Sequence, residues 1–211
     1  VILTAEILSR TVGLPPDRAN IFAPLLRQAM DRFAIVSARE QAAFVGRAVV
    51  ECQSFHALRE NMNYPHADRI ASVFHSKFKG DATLAQSFVN QPEKLADFVY
   101  GGMYGNRPGT DDGFLFRAGG IYGLTFLDNY KSCGNALGID LVAEPERIED
   151  ADVACLSGAW FWRFHNLGPL ALAWDLKGIC RVVNGPGYLG LGEQVTWSEK
   201  LLAELGGSQV R

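Results

Sequence analysis

The chain has 211 residues, 48% of them apolar and 20% charged, which argues against disorder and suits one globular domain over residues 1–211 with a sizeable core. A net charge of -3 and a pI near 5.8 provide no basic excess, so nucleic acid and anionic lipid are not favoured partners. The longest apolar runs, such as Pro169 to Trp174, fall far short of a membrane span, so no stable membrane insertion is expected.

In chain order, Thr4 can cap a short helix over residues 5 to 11, which Gly13-Leu14-Pro15-Pro16 interrupts. A second helical region is expected to reach about Phe33, its main part opened by Pro24, with Ile21, Leu25, Ala29 and Phe33 as the buried stripe. Ser37-Ala38-Arg39-Glu40 reads as a capping box directly before the next helix.

That third helix carries Glu51. Phe44, Ala48, Glu51 and Phe55 recur at steps of four, three and four, which places a carboxyl on an apolar helical stripe. Loss of hydration there favours the protonated form that a general acid needs. Periodicity alone leaves a second reading open, a surface glutamate paired with Arg47 one turn earlier and worth a few tenths of a kcal/mol, roughly 0.2–0.5. Glu60 follows nine positions later. On one straight helix the two carboxyls would be rotated by roughly 180° and shifted by roughly 13.5 Å. If they cooperate, the chain must leave the helix near Phe55 to His56 and fold back.

Residues 65 to 100 read as helices with loops, including Ala67 to Phe78 and a helix after Pro92. From Gly101 to Gly123 there are eight glycines in 23 residues, a loop or short hairpin in which backbone can approach a ligand closely. It matches neither a phosphate loop nor a dinucleotide fingerprint. Helical signals return at Leu124 to Leu137, at Ala151 to Phe164 with Val153, Leu156, Trp160 and Phe164 as core stripe, at Ala171 to Val183, and at Glu193 to Leu205. Cys52, Cys133, Cys155 and Cys180 are widely spaced and fit buried thiols of a reducing compartment better than disulfides. The four histidines form no ligand motif, so no metal and no cofactor are expected.

Taken together, Gln41 through Glu51 and Phe55, Glu60-Asn61-Met62-Asn63-Tyr64, Pro92 to Ala96, Val99-Tyr100, Met103 to Asn106, Asp112 to Arg117, Leu124-Thr125, Asp128-Asn129-Tyr130, Trp160-Phe161-Trp162 and Val183-Asn184-Gly185 resemble glycoside hydrolase family 19, above all its phage endolysins and related bacterial lysins. The resemblance implies a mainly α-helical, lysozyme-like (α+β superfamily) fold of two lobes, with the glycine-rich loop or small hairpin lining a cleft. It implies inverting cleavage of β-1,4 bonds between N-acetylated sugars, with peptidoglycan or a related glycan as the partner. Carried over, Glu51 matches the general acid, Glu60 the base that activates water, and Thr125 the hydroxyl that helps hold that water. Tyr64, Arg117 and Asn184 match positions lining the saccharide cleft.

This chain departs from the pattern around the site. Val50 and Cys52 flank the acid where the family has histidine and serine or threonine, and Ala118-Gly119-Gly120 lacks the family's arginine. Gly123 replaces a glutamine, and Phe126-Leu127 replaces glycine-arginine. A catalytically degenerate relative that binds glycan or a protein partner is therefore the alternative expectation. A signal segment is not visible, so a lysin made in the bacterial host cytoplasm and acting as a monomer on the cell wall in the periplasm is expected.

Overall fold

The structure, a computed structural model, describes residues 2–206. Thirteen α-helices are named among them: α1 (Ala5–Val12), α2 (Pro16–Arg32), α3 (Ala38–Glu51), α4 (Ala67–Val73), α5 (His75–Phe78), α6 (Ala82–Ala85), α7 (Pro92–Tyr100), α8 (Asp112–Leu115), α9 (Leu127–Leu137), α10 (Ala151–Phe164), α11 (Gly168–Leu172), α12 (Leu176–Asn184) and α13 (Leu191–Glu204). The mainly helical class is as expected. The chain folds as two compact units. One is built from the segment up to Leu58, from Gly120–Gly123 and from Arg147 onward, and the other from Arg59–Gly119 and Leu124–Glu146.

In the first unit, α3 is the central element, its residues Ala42 to Val49 all buried. The helix starts where its capping signal lies, Ser37 Oγ accepting from the Glu40 amide at 3.1 Å. The Glu40 side chain does not complete the box. Instead its carboxylate is buried and accepts from Trp162 Nε1 at 3.1 Å and from Arg163 at 2.7 Å, tying α3 to α10. Phe44 packs between Tyr122 and Trp162, with ring centroids 5.6 and 5.5 Å away. The Tyr122 hydroxyl donates to the Phe44 carbonyl at 2.8 Å.

Helix α13 lies along α3, and Gly46 allows the approach: a Cβ there would meet Ser198 Oγ at 2.3 Å and the Ser198 amide nitrogen at 2.8 Å. Gly46→Ala is accordingly expected to push α13 away and destabilise the protein by about 1–3 kcal/mol. Urea unfolding would measure this, and an unchanged or raised midpoint would contradict the packing.

Several expectations need correction in this unit. Helix α2 begins at Pro16 and runs through Pro24 without a break. Pro24 and Asn20 are both exposed, so the Asn20 carbonyl that loses its helical partner faces solvent. The buried face of α2 is Ala19, Phe22, Ala23, Leu26, Ala29 and Met30, one residue round from the expected stripe, and Ile21 is exposed. Packing against α1 and α10 chose that face. Phe164 is likewise exposed, while Trp162 is fully buried. The helix expected over 171–183 is two helices, broken at Trp174, whose φ is +59°, and restarted by Asp175 as the side-chain cap of α12.

The second unit buries an apolar cluster of Met62, Ile70, Phe74, Phe78, Phe88, Leu95 and Val99 from α4 to α7. The glycine-rich stretch forms α8 and loops, not a hairpin. Its last part makes two isolated antiparallel bridges, Arg59 with Gly119 and Gly119 with Leu124. The following helix starts at Leu127, three residues later than expected. Phe126, with φ +77°, holds Leu124 and Thr125 outside it, and Gly138 ends it as expected. All four cysteines are buried and unbridged. No helix among the described residues is long and apolar enough to cross a membrane, and no cluster of His, Cys, Asp and Glu among them could hold a metal.

Candidate active site

Glu51 is the last residue of α3. The chain then turns through three successive residues with left-handed backbone, Gln53, Ser54 and Phe55, at φ +49°, +54° and +62°. None is glycine, and each such residue costs about 1–2 kcal/mol relative to a right-handed one. The surroundings hold the turn in place. Ser54 and Ala57 amides donate to Val49 and Cys52 carbonyls at 2.8 and 3.0 Å, the buried Phe55 ring packs on Phe22 at 4.8 Å, and Arg18 donates to the Phe55 carbonyl. The departure from the helix thus comes immediately after Glu51, four residues earlier than the expected exit.

The environment of Glu51 differs from the apolar one expected. Its carboxylate is ion-paired with Arg47, one turn back on α3, and its side chain is 17% exposed. The guanidinium is fully buried, so this is not the weak surface pair that spacing suggests. Arg47 also donates to Gln194 Oε1 at 3.1 Å and to the Leu189 carbonyl at 3.2 Å, and approaches Cys180 Sγ at 3.5 Å. Burial holds its pKa below the usual arginine value. Gln194 is anchored in turn to the Leu176 carbonyl at 3.1 Å. Asn184, at the end of α12, donates to the same Leu189 carbonyl at 3.1 Å. One backbone acceptor therefore joins two of the expected site residues, Glu51 and Asn184, through Arg47. Gly190, with φ +72°, has no room for a side chain against Val50, whose Cγ1 would lie 2.5 Å from a Cβ there.

Glu60 lies in the second unit, on the segment that bridges to the glycine-rich stretch. Its amide donates to the Ala118 carbonyl at 2.9 Å, and Arg117 Nε donates to the Glu60 carbonyl at 3.1 Å. The Tyr100 hydroxyl lies 2.9 and 3.0 Å from the two carboxylate oxygens and donates to them. Burial pushes the Glu60 carboxyl above the usual range; the Tyr100 hydroxyl, the Ala118 backbone and the cations of Arg117 and Arg59 oppose that rise. The carboxyl that matches the base is thus half-buried. Burial and the neighbouring Glu60 charge raise Tyr64, whose ring also packs edge-on to Phe74 at 5.5 Å. Arg117 stacks over Phe114 at 3.9 Å and donates to the Phe114 carbonyl at 2.7 Å. Thr125 follows the residue that bridges to Gly119, and Asn129 donates to its carbonyl at 2.8 Å.

The second unit therefore gathers Glu60, Tyr64, Arg117 and Thr125 around one short bridged segment, and the first gathers Glu51 and Asn184 around Arg47. Two residues escaped the sequence reading as site components. Tyr100 is the direct partner of Glu60, although Val99-Tyr100 is among the residues that carry the resemblance. Arg47 was weighed only as a surface partner.

No protein-family model matches the sequence. A glycosyl hydrolase family 19 domain-containing protein of Haemophilus influenzae is 27% identical over 167 residues, 78% of this chain and 80% of that one. A crystal structure of a bacterial family 19 chitinase aligns over 99% of this chain and 97% of its own, with a TM-score of 0.64 at 20% identity. Chitinase C of Streptomyces griseus aligns over 98% and 93%, with a TM-score of 0.57 at 21% identity. The chain has the family 19 chitinase fold.

Within that fold, the raised Glu60 pKa carries a testable consequence. A carboxyl raised in the folded state binds its proton more tightly than in the unfolded chain, so stability is lost as pH climbs from the ordinary glutamate value through the folded one. Glu60→Gln, which mimics the neutral form, is expected to gain stability over the unsubstituted protein between about pH 4 and neutrality. Thermal melts across that range would measure it. A difference independent of pH would show that Glu60 titrates as an ordinary glutamate.

Proposed function

We propose that this protein is a peptidoglycan-degrading glycoside hydrolase of the family 19 type, cleaving β-1,4 bonds between N-acetylated sugars with inversion. The observation that carries the reading is the placement of two carboxyls nine residues apart on either side of a left-handed turn, in a chain whose whole length aligns with family 19 chitinases.

In this mechanism Glu51 donates a proton to the leaving glycosidic oxygen. An ion-paired carboxylate carries no proton to give, so Glu51 takes one up and loosens its contact with Arg47 when the saccharide binds. Glu60 draws a proton from water, which then attacks the opposite face of the sugar. The Tyr100 hydroxyl fixes the plane of the Glu60 carboxylate, and Thr125 holds the water. Tyr64, Arg117 and Asn184 contact the sugars. The reaction needs no cofactor, and the protein acts as a monomer in a single lysozyme-like domain spanning 1–211, made in a bacterial cytoplasm and acting on the periplasmic wall.

Mass analysis of fragments from digested peptidoglycan tests this directly, since it reports both the bond cut and the sugar left at the reducing end. Fragments differing by hydrolysis at N-acetylated β-1,4 linkages are expected, released first as the inverted anomer by NMR. One observation favours a second reading. The Arg47–Glu51 pair and the loss of polar side chains at Val50, Gly119 and Gly123 fit a degenerate cleft that binds glycan without cutting it. Retention on cell walls with no fragment released between pH 4 and pH 9 would establish that reading instead.

A further inference from the structure

The second unit holds a pocket of about 580 Å³ that begins two residues after Thr125, formed by α9 and the loop that follows Gly138. Asp128, Lys131 and Asn135 stand along α9 at spacings of three and four, on one helical face. Leu127, Ile139, Leu141 and Val142 supply an apolar wall. Among the described residues no hydrogen bond or ion pair engages the side chains of Asp128, Lys131 or Asn135, and all three are exposed. Asp140 also borders the pocket, but its carboxylate is used locally, accepting from the Val142 and Ala143 amides at 3.2 and 3.0 Å. The pocket therefore offers one carboxylate, one ammonium and one amide beside a patch of aliphatic carbon.

A chitin chain is uncharged and would leave both ionic groups idle. A peptide anchored to the glycan by its amino end fits them: its free carboxylate meets Lys131, a side-chain ammonium Asp128, its backbone amide Asn135, and small aliphatic side chains the apolar wall. We propose that this pocket binds the stem peptide of a peptidoglycan strand and so makes the enzyme prefer peptide-bearing over naked glycan. The proposal rests on the hydrolase reading above and names the feature of the substrate that the second unit recognises.

The test compares release of reducing ends from peptidoglycan with intact stems and from the same strands stripped of stems by an amidase. The protein is expected to cut the intact strands about tenfold faster, corresponding to about 1.4 kcal/mol of recognition. In the double variant Asp128→Asn/Lys131→Gln the ratio is expected to fall to about one. Equal rates on both substrates for the unsubstituted protein, or a ratio retained in the variant, would overturn the proposal while leaving the hydrolase reading intact. If neither strand is cut, the hydrolase reading fails by itself, and NMR titration with the free stem tripeptide decides the pocket. Shifts at residues 127–142 that vanish in the variant support peptide binding, and no shifts refute it.

Discussion

Glu51→Gln is expected to lower the rate of cell-wall cleavage by about 10²–10⁴-fold while the protein stays folded. The amide keeps the shape of the carboxyl and retains an oxygen that accepts from Arg47, which also keeps Gln194 Oε1 and the Leu189 carbonyl; the buried guanidinium loses its counter-ion, so the variant is expected to be less stable but folded. It cannot deliver a proton to a leaving sugar. Reducing-end assays on purified peptidoglycan, with circular dichroism as a control on folding, make the comparison. An undiminished rate in a correctly folded variant would remove Glu51 from the chemistry and with it the proposed mechanism.

Arg47→Met is expected to destabilise the protein by about 3–5 kcal/mol, the cost of leaving a buried charge without its counter-ion. Methionine reproduces much of the length of arginine but none of its donors. It would strand the Glu51 carboxylate and Gln194 Oε1 at once, while the Leu189 carbonyl keeps Asn184 as a donor. Against a typical domain stability of about 5–15 kcal/mol, that loss is large enough to read in a single urea titration. The double variant Arg47→Met/Glu51→Gln separates the causes. If the stranded charge dominates, the neutral glutamine should recover part of the loss. If the unmet Gln194 acceptor dominates, the two effects should simply add. A loss below about 1 kcal/mol in Arg47→Met would mean that the guanidinium is solvated and the ion pair an ordinary surface contact.

These two predictions concern residues four apart on one helix, and the sequence treats them unequally. Ser37 three residues before Glu40 signals the start of α3, because the capping interaction is local and needs only the side chain and the next turn of backbone. Thr4 and Gly138 are legible at helix ends for the same reason. The recurrence of Phe44, Ala48, Glu51 and Phe55 draws attention to the carboxyl, although the helix ends at Glu51 and Phe55 lies in the turn beyond it. Yet Gln53, Ser54 and Phe55 give no hint of three left-handed residues, since no glycine or asparagine marks them. Their conformation is imposed by the Phe22 ring and by Arg18, both from another helix.

Local pattern also misjudges which face is buried wherever more than one face is apolar. In α2 the expected stripe is off by a residue because Ile21 and Phe22 are equally plausible until α1 and α10 are in place. Arg47 and Glu60 show the same limit in electrostatic form. Nothing in a linear chain says that an arginine is sealed from water by α12 and α13, or that a tyrosine forty residues away closes over a glutamate.

By itself, then, the sequence determined the helical class and the caps at Thr4, Ser37 and Gly138, since these depend on neighbours within a turn or two along the chain. Tertiary structure alone decided the charge environment of the two carboxyls. Desolvation and ion pairing depend on which distant side chains arrive in space, and for Glu51 and Glu60 those are Arg47, held from α12 and α13, and Tyr100 at the end of α7.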